Sequence, residues 1–227
     1  DILSNAEDAL QSKLTEPSGR VRIDMPAAFG RQVVLPILLD IGKQFPALKF
    51  TLTFNDKVID PMGEGFDLAL RFGLLIDSAD LVARKLNAQQ LVLCASPTYL
   101  KLHGYPDSIK SLTQHQCIMP WRSGKSLSWI LKGSDDKDIK LTPPAYHQIS
   151  DGDAMIEACI AGAGIAQFPR SLLKKEIAQG ALELILPELN PEKSALNIIW
   201  PHQSHLMPGV RFIIDEFLRL SEQQAFS

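Results

Sequence analysis

A chain of 227 residues, 45% apolar and 22% charged, is long enough to bury a sizeable core in one large domain or two small ones. Its net charge of −3 gives no basic footprint for nucleic acid, and no apolar run nears the roughly 20 residues that span a bilayer. Three widely spaced cysteines, Cys94, Cys117 and Cys159, provide neither a disulfide framework nor a CxxC zinc pair; they fit a reducing cytoplasm and are expected as small buried hydrophobes.

Residues 1–16 carry Ala6, Ala9, Leu10 and Leu14 at helical spacing, acids early and Lys13 late, and read as the end of a helix. They lack the basic start and apolar middle of a secretory signal, and without an initiator Met the chain is expected to be a fragment. EPSG breaks that helix. Residues 20–25 alternate as a strand with Val21, Ile23 and Met25 on one face. Residues 27–45 read as a helix with Val33, Val34, Ile37, Leu38 and Ile41 as its stripe and a kink at Pro36. LKFTLTF is a second strand, residues 60–65 a short turn ending in glycine, and DLALRF a third strand. This β-α-β-α-β order predicts a parallel α/β sheet.

Strands at residues 81–86 and 90–95 follow, and the pattern repeats more loosely. Short helices are predicted at 97–103 and 108–115, and short strands at 117–120, 127–131 and 139–141. A helix over 150–163 begins with Ser150 and Asp153 spaced as a capping box, buries Met155, Ile156, Cys159 and Ile160, and stops at Gly162 and Gly164. GIAQF is a buried strand, and PRSLLKKEIAQG a helix between Pro169 and Gly180. ALELIL and ALNIIW are strands, and residues 208–224 a closing helix.

Two α/β units leave a cleft, and ligands of such folds lie outside the carboxyl ends of the strands. Three features fall there: PAAFG at the start of the first long helix, Arg71 at the end of DLALRF, and SDGD at residues 150–153. Helix starts offer free N–H groups and a guanidinium offers a bidentate grip, so together they predict a small-anion site. Taken singly, each is an ordinary cap or a salt-bridged arginine. Catalytic patterns do not appear. The histidines, His103, His115, His147, His202 and His205, have no HExxH spacing. There is no GxSxG, P-loop or helix-opening GxGxxG, and GAGIA ends a helix rather than starting one. No enzyme activity, metal or cofactor is expected.

Five stretches taken in order, SGRVRIDMPAAFGRQVVLPIL, FPALKFTLTFND, VIDPMGEGFDLALRFG, LVLCASPTYLKLHGYP and GDAMIEACIAGAGIAQFP, resemble the effector-binding domain of LysR-type transcriptional regulators from about Glu7 to about Phe217. The forms DLALR.G and SP.YL..HG.P look most like the branch around regulators of aromatic-acid and virulence genes. The resemblance implies two Rossmann-like subdomains of the type II periplasmic-binding-protein kind, joined by two crossover strands. Residues 1–18 would end a linker helix, 19–94 and 199–227 would form subdomain I, and 95–198 subdomain II. The passages would lie near residues 94–96 and 198–201.

The positions that match the family's effector contacts are Ala27 and Ala28, Arg71, Phe72 and Gly73, Ser96, and Ser150, Asp151 and Gly152. Trp121 and Arg122 would line the second wall. Ala28 departs from the pattern, because many relatives place a hydroxyl there to grip a carboxylate. That shifts weight onto backbone N–H groups and Arg71, and Arg71→Ala is expected to weaken ligand binding without unfolding the domain. The resemblance further implies a small, anionic metabolite as effector, a homodimer that becomes a tetramer at full length, and a cytoplasmic location. DNA contact would come from an N-terminal winged helix-turn-helix outside this chain. The rival reading is a solute-binding protein of a transporter, which shares the fold.

Overall fold

The computed structural model describes residues 16–56, 65–73, 79–191, 193–202 and 206–226. The helix expected over residues 1–16 and the turn expected at 60–65 lie outside them but for their last residues. The first sheet has the order β2-β1-β3-β13-β4, formed by β1 Gly19–Met25, β2 Leu48–Phe54, β3 Leu68–Phe72, β4 Leu81–Gln89 and β13 Ser194–Pro201. β1 pairs in parallel with β2 and β3, while β13 runs antiparallel to both β3 and β4. The expected parallel sheet is therefore mixed.

β1 and β2 are joined by α1, which runs continuously through Ala27–Phe29, a π-helical stretch Gly30–Val34 and Leu35–Gln44. Pro36, expected to kink the helix, sits early in the regular α-helical part, directly after the π turn. Its missing N–H thus falls where the hydrogen-bond pattern already changes. Val34, Leu38 and Ile41 are buried at helical spacing on this element. The closing helix Pro208–Glu222 packs on β1 and β4 and buries Val210, Ile213, Ile214 and Phe217. Each such side chain stabilises the fold by about 1.5–3 kcal/mol.

The remaining strands are β5 Leu91–Ala95, β6 Cys117–Arg122, β7 Lys125–Ser126, β8 Trp129–Lys132, β9 Asp138–Leu141, β10 Ala145–Ile149, β11 Ala166–Pro169 and β12 Glu183–Ile185. β11 and β12 flank β5 antiparallel, and β6 pairs in parallel with β10. A parallel bridge from Cys117 to Ile165, with Ile118 N–H donating to Ile165 O at 2.8 Å, connects the two groups. The second unit so has the order β10-β6-β11-β5-β12. Its pairings run parallel, parallel, antiparallel, antiparallel, the same sequence as in the first sheet.

In each unit the fourth strand is the one that has just crossed over, β13 in the first and β5 in the second. The chain leaves the first sheet at Gln90 and returns at Ser194. The passages are expected near residues 94–96 and 198–201; LVLCA pairs wholly within the second unit and ALNIIW wholly within the first sheet, a membership that hydrophobic runs do not reveal. The two passages lie side by side, since the Gln90 amide donates to the Pro191 carbonyl at 2.8 Å.

Candidate functional site

DLALRFG is shaped by its neighbours on β1. Asp67 accepts from Arg22 N–H at 2.7 Å and returns its own N–H to Arg22 O at 3.0 Å, which sets the start of β3. Gly73 ends the strand with φ +89°, a conformation that favours glycine. Its N–H reaches Ala195 O and its carbonyl accepts from the Asn197 amide, both at 2.9 Å. Between them, Arg71 forms an ion pair with Asp24 of β1 and donates to Leu70 O at 2.6 Å. Asp24 is fully buried and Arg71 is 20% exposed at its side chain.

A cavity of about 280 Å³ opens where the carboxyl ends of β1, β2 and β3 meet those of β6 and β10. Its first wall carries Ala28, Phe29, Asn55, Asp56, Arg71 and Phe72. Its second carries Trp121, Arg122, Ser150, Gly152, Met155 and Phe168. Phe29 and Phe72 meet edge to face at 5.0 Å and stiffen the first wall. Gln167, also at the cavity, is held by both a 3.0 Å and a 2.6 Å hydrogen bond to the backbone of Ile130.

Of the residues singled out in the sequence, Ala28, Arg71, Phe72, Trp121, Arg122, Ser150 and Gly152 line this space. Ala27, Gly73, Ser96 and Asp151 do not. Ala27 is buried behind it. Gly73 is a strand end pinned to β13. Ser96 is 2% exposed and caps the helix Pro97–His103 by accepting from Tyr99 N–H. Asp151, rather than the expected Ser150, caps the helix Gly152–Ile160 by accepting from Ala154 N–H at 2.9 Å.

Asp153, expected in the capping box, points elsewhere. Arg31 of α1 donates to Asp153 at 2.6 Å and to Asp151 at 2.8 Å, and Gln32 donates to Asp153 at 2.7 Å. These contacts join the start of α1 to the start of the second unit's long helix. Gly152 permits the approach, since a Cβ there would lie 2.8 Å from that of Ala28. The Ala154 N–H, and then Arg31, hold the Asp151 carboxyl below its ordinary range.

Sequence reasoning missed Asp56. It closes β2 in the way that Arg71 closes β3, and that parallel was the available signal. Its carboxylate sits 3.4 Å from Ala27 N–H and 3.6 Å from the Arg122 guanidinium. The start of α1, expected to offer N–H groups to a ligand anion, is therefore faced by the protein's own carboxylate. Burial pushes the Asp56 carboxyl up from its ordinary value. Among the described residues no group of three or more His, Cys, Asp or Glu side chains could hold a metal ion. No described helix is long and apolar enough to cross a membrane.

Two α/β units of like strand order, side-by-side passages and a cavity at facing strand ends define a periplasmic-binding-protein-like fold, the architecture of two-lobed ligand-binding domains. Residues 15–221 match the LysR substrate binding domain, and the chain belongs to that family. It is an effector-sensing regulatory domain and not the solute-binding protein of a transporter. An uncharacterized HTH-type transcriptional regulator of Haemophilus influenzae is 31% identical over 205 residues, covering 90% of this chain and 70% of that protein. The regulatory domain of AphB from Vibrio vulnificus superposes with a TM-score of 0.72 at 26% identity, covering 90% of this chain and all of that one. CrgA, a LysR-type transcriptional regulator from Neisseria meningitidis, has the same fold, with a TM-score of 0.81 at 24% identity over 96% of this chain and 74% of that one.

Proposed function

We propose that this domain senses a small metabolite in the 280 Å³ cavity and passes the signal on as a change in the arrangement of its two units. The observation that carries this reading is the origin of the walls: strand ends of both units converge on one space, so a bound molecule touches both. A ligand that prefers one arrangement shifts the population toward it by its differential affinity and no more. The volume lies near the lower end of small-molecule sites, which favours a ligand of amino-acid or small organic-acid size. We assign residues 19–89 and 194–226 to subdomain I and 91–189 to subdomain II, following sheet membership. The family supports the rest of the assignment. The domain works in the cytoplasm without enzymatic activity, as a homodimer that assembles further at full length, and DNA is read by a winged helix-turn-helix outside this chain.

A thermal-shift screen of amino acids, organic acids and aromatic metabolites tests the reading, because a ligand bound only to the native state raises Tm by mass action. Ser150 is exposed at the cavity rim, so Ser150→Trp plugs the space without disturbing the core. A hit abolished by Ser150→Trp supports the cavity. Hits that all persist in the plugged variant would place the ligand elsewhere.

A further inference from the structure

The charges around the cavity are matched in a way that restricts what enters it. Arg71 is committed to the buried Asp24 within its own wall. The start of α1 faces Asp56. Beside the Arg71–Asp24 pair, whose guanidinium also lines the space, Asp56 on the first unit and Arg122 on the second face it across the cleft. These two stand 3.6 Å apart, beyond hydrogen-bond distance, with side-chain exposures of 22% and 37%. An ionised carboxylate accepts about four hydrogen bonds, and Asp56 has one long one, from Ala27 N–H. A guanidinium offers about five donors. Much of the remaining lining is apolar, Phe72, Met155, Phe168 and Leu172 among it.

Resting on the reading that the ligand occupies this cavity, we infer that the ligand is a zwitterion of the amino-acid kind, its ammonium set against Asp56, its carboxylate against Arg122, and its apolar side chain against Phe72 and Phe168. A half-buried space penalises added net charge, and a zwitterion adds none. A lone carboxylate could reach Arg122 but would lie beside Asp56, within the reach of a strong like-charge repulsion. A lone amine has the converse difficulty with Arg122. The amino acid replaces one loose ion pair with two hydrogen-bonded ones. Because Asp56 and Arg122 belong to different units, its two charged ends also bridge the cleft.

The test is isothermal titration of this chain with matched triplets. One is phenylalanine, 3-phenylpropionate and 2-phenylethylamine; another is leucine, 4-methylpentanoate and 3-methylbutylamine. An amino acid should bind the native protein about tenfold or more tighter than either single-charge analogue. Asp56→Asn should reduce it to the level of its carboxylate analogue, and Arg122→Gln to that of its amine analogue, with both variants retaining native circular dichroism. A carboxylate analogue that binds as tightly as its amino acid overturns the inference, as does an unchanged ranking in Asp56→Asn or a failure of every triplet to bind. If an acid from the wider screen still binds and is lost in Ser150→Trp, the cavity reading stands and only the zwitterion falls. If nothing responds to the plug, both fall.

Discussion

Replacing Arg71 by alanine strips the guanidinium from a carboxylate that has no exposure of its own. An exposed ion pair would contribute little, because water would screen both partners. Asp24 lies within the sheet on β1, and breaking a buried pair by removing one partner costs about 3–5 kcal/mol. For a domain of this size each kcal/mol moves Tm by about 2–4 °C, so Arg71→Ala should melt about 6–20 °C lower. Differential scanning calorimetry reads this directly. Lys43→Ala is the internal control, since Lys43 and Asp40 form a pair with side-chain exposures of 77% and 67%, and it should shift Tm by no more than about 2 °C. The double variant Asp24→Asn, Arg71→Leu, which removes both charges, should recover much of the loss. A fall below about 2 °C for Arg71→Ala would refute the argument. It would mean that Asp24 finds solvent or another partner at no cost, leaving the arginine free for a ligand, as the sequence suggested.

Burial raises the Asp56 carboxyl, so the ionised form is the one that folding disfavours. The cost is full above the raised folded value and disappears as pH falls below the ordinary 3.8. Asp56→Asn should therefore raise Tm at pH 7 to 8, by an amount that shrinks as pH is lowered toward 4. A variant that lowers Tm at neutral pH would make the residue a structural cap of α1. Cys94, Cys117 and Cys159 are all fully buried. The hydrogen bond to Cys159 and burial push the Cys94 thiol well up, and burial pushes Cys117 up to about 11. Ellman's reagent should find no reactive thiol in the native protein at pH 8 and every cysteine after denaturation. A thiol that reacts at the native stage would show an opening that this packing does not contain.

The sequence by itself determined the local elements and the side they bury. Val21, Ile23 and Met25 alternate into the core as their spacing required, and Val34, Leu38 and Ile41 do so at helical period. Both depend on near neighbours along the chain, and so they are legible without the fold. The resemblance carried the family and the general position of the cleft. The tertiary structure decided how charges were paired and which sheet each crossing strand completed. Asp24 meets Arg71 across 47 positions, Arg31 meets Asp153 across 122, and Asp56 faces Ala27 across 29. Such pairings are set by strand order and by which carboxyl ends come together, and hydrophobic periodicity contains neither. Arg71 finds its carboxylate on another strand, a partner that no linear spacing names, and the likeness of Asp56 to Arg71 at a strand end gains meaning only where both ends face one cavity.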